Sequence, residues 1–98
     1  MHRQVRAYRI RPGELDAFVT EWRASVVPLR RRFGFTVEHA WASVEDDWFT
    51  WVVAYAGDDF DAADEAYYDS DERRALDPDP ARRVLEARTF LASAIPLP

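Results

Sequence analysis

The 98-residue chain contains no cysteine and only three glycines. Without cysteine there is no disulfide framework and no thiolate chemistry. Because the glycines are Gly13, Gly34 and Gly57, the sequence has neither a phosphate-binding loop nor a dinucleotide-binding fingerprint. No stretch approaches the roughly 20 apolar residues that span a bilayer, and the first ten residues, MHRQVRAYRI, are too polar for a signal peptide. We expect a cytoplasmic protein of bacterial type that uses no cofactor.

Positive charge is also scarce, because 13 arginines face 18 acidic residues and the formal net charge is −5. This balance argues against nucleic acid as the main partner, since phosphate binding needs a positive surface. The densest basic cluster, LRRRF (29–33), is typical of a solvated helix C-terminus, where arginine complements the helix dipole. One internal histidine without a second histidine or a carboxylate cluster makes a poor metal site, so no metal is expected.

What the chain does have is aromatic residues, which make up 14% of it and include four tryptophans. A chain of this length forms one domain, 1–98, with a small core. The aromatic content is large for such a core, so part of it should line a subunit interface or a pocket.

The first half of the chain predicts a strand followed by a helix. QVRAYRI (4–10) mixes β-branched, aromatic and arginine residues and ends at Pro12-Gly13. Apolar residues at helical spacing follow as one stripe: Leu15, Phe18, Val19, Trp22, Val26, Leu29 and Phe33. Pro28 lies inside this pattern, so the helix should either kink there or break and restart with Pro28 in a new first turn.

Two strand-like segments then form a predicted hairpin, FTVEHAWAS (35–43) and WFTWVVAYA (48–56), joined by the acidic link VEDD. Strict alternation places Phe35, Val37, His39 and Trp41 on one face. The second strand is apolar on both faces, which is typical of a strand that is covered on both sides.

The remaining segments complete the pattern. Residues 57–76 predict a second helical region that Asp58 or Asp59 can cap, with Ser70 capping a further short turn. RVLEARTFL (83–91) reads as the last strand, although its composition also suits a helix. The order β-α-β-β-α-β predicts an α+β, ferredoxin-like antiparallel sheet with both helices on one face. We expect two subunits to cover the other face by pairing as a homodimer.

RAYRIRPGELDAFVTEW resembles the opening of the NIPSNAP family, in which an Arg-x-Tyr strand runs into Pro-Gly and an amphipathic helix; the matching positions are Arg6, Tyr8, Pro12, Gly13, Phe18 and Trp22. WVVAYAGDDFDAADEAYYDSDERRAL also resembles small bacterial members, which have an aromatic third strand and then a Tyr-x-x-Ser-x-x-Arg segment, here Tyr67, Ser70 and Arg73. The resemblance covers most of residues 3–91.

The resemblance implies the dimeric α/β-barrel superfamily, in which ferredoxin-like subunits pair through their sheets. That superfamily includes cofactor-free monooxygenases, isomerases and cyclases, heme-degrading enzymes and stress-response proteins. The NIPSNAP branch offers no widely shared catalytic residue to carry over, and the fold by itself does not give the function.

Three kinds of side chain are candidates for a site. His39 is the best catalytic candidate, as a general base, an orienting donor or a heme ligand; the favoured alternative is a hydrogen-bonded or exposed strand histidine. Arg6 and Arg88 lie in strands that neighbour each other, and either one, if buried, needs an anionic ligand or a carboxylate such as Glu38 or Glu86. The candidate aromatic walls of a pocket are Tyr8, Trp41, Trp51, Tyr55 and Tyr67; the favoured alternative for them is packing in the core and at a dimer interface.

Two functions remain open from the sequence. In the first, the barrel encloses an apolar, anionic or oxygenated ligand, and the reaction is oxygenation, isomerisation or cyclisation. In the second, the protein is a non-catalytic homodimeric module in stress response or partner binding. The absence of a recognisable catalytic constellation motivates the second.

Overall fold

The computed structural model describes all 98 residues. Its strands and helices follow in the order β1 (His2–Ile10), α1 (Leu15–Glu21), α2 (Val27–Arg32), β2 (Phe35–Ser43), β3 (Trp48–Tyr55), α3 (Phe60–Asp69), α4 (Asp71–Arg74) and β4 (Val84–Ala92). A π-helical turn, Trp22–Val26, joins α1 to α2, and a 3-10 turn, Pro80–Arg83, precedes β4.

The four strands form one antiparallel sheet in the order β2-β3-β1-β4. The helices pack against one face, and a single core joins them to it: Tyr8, Ile10, Phe49, Trp51 and Val53 from the sheet meet Leu15, Phe18, Trp22, Leu29, Phe60 and Tyr67 from the helices. This is the predicted ferredoxin-like arrangement, and the 83–91 segment is a strand.

A π-helical turn interrupts the first helix before Pro28, which lies in the first turn of α2. Proline has no N–H to donate to the carbonyl four residues earlier, so the ladder must change near it. The change is the π turn, in which the Val27 N–H donates to the Trp22 carbonyl five residues back. The Ser25 hydroxyl donates to the Glu21 carbonyl at 2.7 Å, and Pro28 then lies in the first turn of α2. A π turn of this kind absorbs the proline while the apolar stripe stays buried.

Two capping residues begin the two helices of the second helical region. The Asp59 carboxylate accepts from the Ala62 N–H at 3.0 Å, and the Ser70 hydroxyl accepts from the Arg73 N–H at 3.1 Å. Ser70 therefore separates α3 from α4, as its residue type predicts.

A β-bulge in β2 changes which side chains share a face. Val37 pairs with Val53, but the next pair joins His39 to Val52, so Glu38 is an extra residue in the strand. The Glu38 carboxylate accepts from Arg3 Nε at 2.7 Å and from its Nη2 at 3.2 Å.

The prediction that His39 and Trp41 share a face with Phe35 and Val37 is therefore wrong, because they lie beyond the bulge. Phe35 and Val37 face the helices, whereas His39 and Trp41 face the opposite, open side of the sheet. Strict alternation cannot anticipate an inserted residue, because one extra residue exchanges every later side chain between the two faces.

The buried core lies on the helix-facing side of the sheet, and the open side has only residues after β4, Ser93 and Ala94, beside it. Apolar side chains there include Val5 and Val52, which are paired in register, and Phe90, which pairs with Val5 from the other side. Trp41 and Phe90 remain 57% and 55% exposed. Such a contiguous apolar surface is unusual on a monomer.

No helix of the structure combines the length and the apolar character needed to cross a membrane.

Candidate functional site

A cleft of about 370 Å³ opens between the helices and the helix-facing side of the sheet. We call it the helix-side cleft. Its lining is mostly apolar and consists of Arg6, Tyr8, Phe18, Trp22, Val26, Trp51, Tyr67, Tyr68, Arg73, Pro80, Ala81, Val84, Leu85, Glu86 and Ala87. An apolar concavity with a few polar groups is the usual form of a small-molecule site.

Arg6 is the buried cation of this cleft, with 8% of its surface exposed. It donates from Nε to the Tyr8 hydroxyl at 2.7 Å, from Nη1 to the Gln4 Oε1 at 2.6 Å and from Nη2 to the Tyr68 hydroxyl at 2.7 Å. All three acceptors are neutral, and no carboxylate oxygen lies within 4.0 Å of the guanidinium. The Arg6 charge is thus solvated by dipoles but not neutralised.

Tyr68 lies at the centre of a group of three arginines. The guanidinium carbons of Arg6, Arg30 and Arg73 lie 5.7, 5.3 and 5.4 Å from the centroid of its ring. Its hydroxyl also accepts a weaker hydrogen bond from Arg30 at 3.5 Å. These contacts bring residues from β1, α2, α3 and α4 to one place and allow cation–π attraction to the ring.

Two of these three arginines have a carboxylate partner. Arg30 donates to Asp64 at 2.6 Å, and Arg73 donates to Asp79 at 3.1 Å. Arg6 has none, so the group carries one positive charge in excess. In a chain of net charge −5, this local excess of positive charge is an exception to the acidic balance.

Several buried donors near the cleft have no hydrogen-bond partner. They include the indole Nε1 of Trp22, the Tyr67 hydroxyl and the Nε of Arg73. The Trp51 indole interacts weakly with the Tyr8 hydroxyl, outside hydrogen-bonding geometry. Buried donors without partners are costly, so an acceptor that reaches them gains hydrogen bonds that the protein itself does not supply.

Two tyrosines of the cleft keep their protons at neutral pH. Burial raises the pKa of Tyr8, and the charge of Arg6 only partly offsets the rise. Burial likewise raises the pKa of Tyr67 against the opposing charge of Arg30. Both hydroxyls are therefore neutral donors, and Tyr8, which accepts from Arg6, has its own proton left to offer.

An ion-pair cluster fastens the 3-10 turn to the first helix. Arg82 donates to both carboxylate oxygens of Glu21 at 2.8 Å, and Arg83 donates to the same carboxylate at 3.1 and 3.0 Å. These hydrogen bonds lower the pKa of Glu21 to about 2, and the hydrogen bonding from Arg82 contributes most. The cluster holds Pro80 and Ala81, which belong to the cleft wall.

Four of the eight side chains proposed from the sequence meet in the helix-side cleft: Arg6, Tyr8, Trp51 and Tyr67. The other four lie elsewhere. Tyr55 packs on Phe35 with ring centroids 5.2 Å apart, and its ring leaves no room for a Cβ at Gly57. Arg88 is 69% exposed on the open side and donates to Glu86 at 3.4 Å.

His39 and Trp41 stack on each other on the open side, with ring centroids 5.5 Å apart. His39 borders a shallow depression of about 320 Å³ together with Arg3 and Glu38. Glu38 is paired with Arg3 and Glu86 with Arg9 and Arg88, so neither of the two expected carboxylates reaches Arg6.

Sequence reasoning did not propose Trp22, Tyr68, Arg30 or Arg73 as site residues. Arg30 was expected to be solvated with its two neighbours, but it is fully buried. Arg30 lies four residues after Val26, on the same side of the helix as the apolar stripe. This spacing was the signal in the sequence for its burial. Tyr68 gave no comparable signal, because it is 38% exposed and does not belong to the buried core.

No group of three or more His, Asp or Glu side chains is placed to hold a metal ion.

The sheet order and the single helical layer define a ferredoxin-like α+β domain. Solved structures share this fold. An uncharacterized NIPSNAP domain protein from Burkholderia xenovorans superimposes with a TM-score of 0.79 at 17% identity over 97% of this chain and 95% of that one. A NIPSNAP family protein from Agrobacterium tumefaciens gives 0.82 at 13% identity over 96% and 92%. The chain thus has the fold of NIPSNAP domain proteins.

A second kind of protein has the same fold. A putative antibiotic biosynthesis monooxygenase from Nitrosomonas europaea superimposes with a TM-score of 0.69 at 14% identity over 97% of this chain and 99% of that one. No family model matches the sequence, and no curated protein matches it. The similarity therefore lies in the fold, as the resemblance of the sequence to the NIPSNAP family predicts.

Proposed function

We propose that the protein binds a small, mostly apolar molecule with an oxygen acceptor in the helix-side cleft. The observation that carries this proposal is Arg6, a buried guanidinium held by three neutral acceptors in the cleft wall. A buried charge without a counter-charge destabilises the free protein, and structural arginines such as Arg30 have a carboxylate instead. A ligand that accepts hydrogen bonds from Arg6 would offset this cost.

The same donors suit reactions in which negative charge develops on an oxygen atom of the substrate. N–H and O–H groups placed around a ligand oxygen stabilise negative charge that develops on it. We propose an oxygenation, isomerisation or cyclisation in which an oxygen of the substrate that gains negative charge accepts hydrogen bonds from these donors. The fold shared with a putative antibiotic biosynthesis monooxygenase supports a small organic substrate.

We also propose that two subunits pair through the open sides of their sheets to form a dimeric α/β barrel. Support comes from the exposed Trp41 and Phe90 and from the apolar strip that they border. His39 would then lie at the subunit interface rather than in the ligand site.

Filling the cleft tests the binding proposal. Ala87 faces the cleft from β4 and is exposed, so Ala87→Trp should occupy the ligand volume without disturbing the core. We expect equilibrium dialysis with a panel of small aromatic compounds to show one molecule bound per wild-type chain and none per Ala87→Trp chain. Ala66→Trp, on the exposed surface of α3, is the matched control and should bind normally. Equal binding by all three proteins would contradict the proposal.

A non-catalytic homodimeric module is the second candidate function. The observation that favours it is the lack of a free base in the cleft, where the only carboxylate, Glu86, is paired with Arg9 and Arg88 at 3.4 Å each. This candidate predicts that Arg6→Gln leaves any cellular phenotype intact as long as the dimer folds.

A further inference from the structure

We infer that the ligand of the helix-side cleft is a monocarboxylate with an aromatic or alicyclic body, recognised by Arg6 together with Tyr68. This inference rests on the proposed binding function and specifies its ligand class. Three features of the cleft support it: the free N–H groups of Arg6, the charge balance around Tyr68, and the apolar wall beside them.

The first feature is the set of N–H groups that Arg6 has left. A guanidinium has five N–H donors, and the protein uses one on Nε, one on Nη1 and one on Nη2. One N–H therefore remains on each of the two terminal nitrogens. Two N–H groups on neighbouring nitrogens form a fork that can donate to both oxygens of a carboxylate, whereas a single ketone or hydroxyl oxygen would use only part of it.

The second feature is the charge balance. The group around Tyr68 contains three guanidiniums and two paired carboxylates, so a ligand with one negative charge brings it to neutrality. A neutral ligand would leave the charge of Arg6 uncompensated in a desolvated site, and a dianion would introduce an uncompensated charge of the opposite sign. The balance selects a monoanion.

The third feature is the apolar wall beside the donors. Trp22 and Trp51 meet edge to face with centroids 5.4 Å apart, and Phe18, Val26 and Val84 extend the apolar surface. Burial of a ring against this wall supplies the apolar part of the binding energy. At about 370 Å³, the cleft lies near the lower end of the size range of small-molecule sites, which suits a compact one- or two-ring body.

The matched probes are 2-naphthoate and 2-naphthamide, which share a ring system and a planar head group and differ in charge. Calorimetric titration of the wild-type protein should show that the carboxylate binds at least about tenfold more tightly than the amide, as a charge-assisted bidentate contact implies. If the two bind equally, the inference is overturned while the proposed binding function stands. If neither binds, both are overturned.

Comparing two variants tests whether Arg6 causes the preference for the carboxylate over the amide. Arg6→Gln should reduce the affinity for 2-naphthoate to about that which the same variant shows for 2-naphthamide. Arg88→Gln removes an exposed guanidinium from the opposite side of the same sheet and should retain the full preference. If Arg6→Gln fails to fold, the comparison of the two probes on the wild-type protein still tests whether the cleft prefers a carboxylate. A charge preference that survives Arg6→Gln in a folded protein would overturn the assignment.

Discussion

Arg6 Nη2 donates to the Tyr68 hydroxyl at 2.7 Å, across 62 positions of sequence. The contact joins β1, in the sheet, to α3, in the helical layer, and it forms one wall of the helix-side cleft. Because Tyr68 also accepts from Arg30, this hydroxyl is shared by one paired and one unpaired arginine. The cleft is thus built around a phenol oxygen that accepts hydrogen bonds from two cations.

Removing that hydroxyl should destabilise the protein. Tyr68→Phe takes an acceptor from the buried Arg6 and from Arg30, and a lost hydrogen bond to a charged group costs about 1.5–3 kcal/mol. Since Tyr68 is partly exposed and water can replace part of the interaction, we expect a decrease of about 1–2 kcal/mol in the free energy of unfolding, measured by urea denaturation.

The neighbouring tyrosine supplies the control. The Tyr67 hydroxyl is buried without a partner, so Tyr67→Phe deletes an unsatisfied group and should leave stability unchanged or raise it by up to about 1 kcal/mol. A larger loss from Tyr67→Phe than from Tyr68→Phe would show that the hydrogen-bond assignment is incorrect.

Asp64 should be required to keep Arg30 buried. Arg30 is fully buried, lies 3.9 Å from the Tyr67 ring centroid and has Asp64 as its one carboxylate. Breaking a buried pair costs about 3–5 kcal/mol, and because the Asp64 side chain is 21% exposed, we expect about 2–3 kcal/mol for Asp64→Asn. Asp61→Asn, on the exposed side of the same helix, should change stability by less than about 0.5 kcal/mol.

Asp64→Asn also bears on the ligand site, because it adds a second uncompensated charge near Arg6. If the variant folds, its affinity for 2-naphthoate should rise relative to the wild type, as measured by calorimetry. An unchanged affinity would mean that the charge balance around Tyr68 does not control binding.

Glu21 should make stability depend on acid pH. Its pKa in the folded protein is about 2, below the usual value near 4.5, because Arg82 and Arg83 donate to it. A carboxyl with a lowered folded-state pKa stabilises the fold fully above its unfolded pKa and loses that contribution as pH falls through its folded pKa. The wild-type advantage over Glu21→Gln should therefore be largest above pH 4.5 and shrink towards pH 2. Parallel urea stability curves across that range would contradict this.

The open side of the sheet should mediate self-association. Phe90 is 55% exposed in the isolated chain, so Phe90→Asp should not disturb the core but should oppose the pairing of two sheets. We expect light scattering at micromolar concentration to give twice the 11.4 kDa chain mass for the wild type and a smaller mass for the variant. Leu97→Asp, in the exposed tail, should remain dimeric. A monomeric wild type would contradict the proposed barrel.

The fold was largely predictable because its signals are periodic. The apolar stripe of the first helix, the caps at Asp59 and Ser70 and the helix-facing apolar side of β3 all appear in the structure. The alternation in β1 also placed Arg6 and Tyr8 together on the face that Ile10 buries, and this is the face of the cleft.

The location of the site was not predictable, for two physical reasons. The bulge at Glu38 turns His39 away from Phe35 and Val37, and an inserted residue leaves no mark on hydrophobic periodicity. The pairing of Arg30 with Asp64 and the shared use of Tyr68 depend on contacts 34 and 38 residues apart. Such long-range contacts become visible only once the chain is folded.

The most direct test of the ligand site uses the four tryptophans as reporters of the two sides of the sheet. Trp22 and Trp51 line the helix-side cleft, whereas Trp41 and Trp48 lie on the open side. Titration of ¹⁵N-labelled protein with 2-naphthoate, followed through the four indole N–H resonances, should shift the signals of Trp22 and Trp51 and leave those of Trp41 and Trp48 in place. Shifts confined to Trp41 and Trp48 would place the ligand between the sheets and contradict the account.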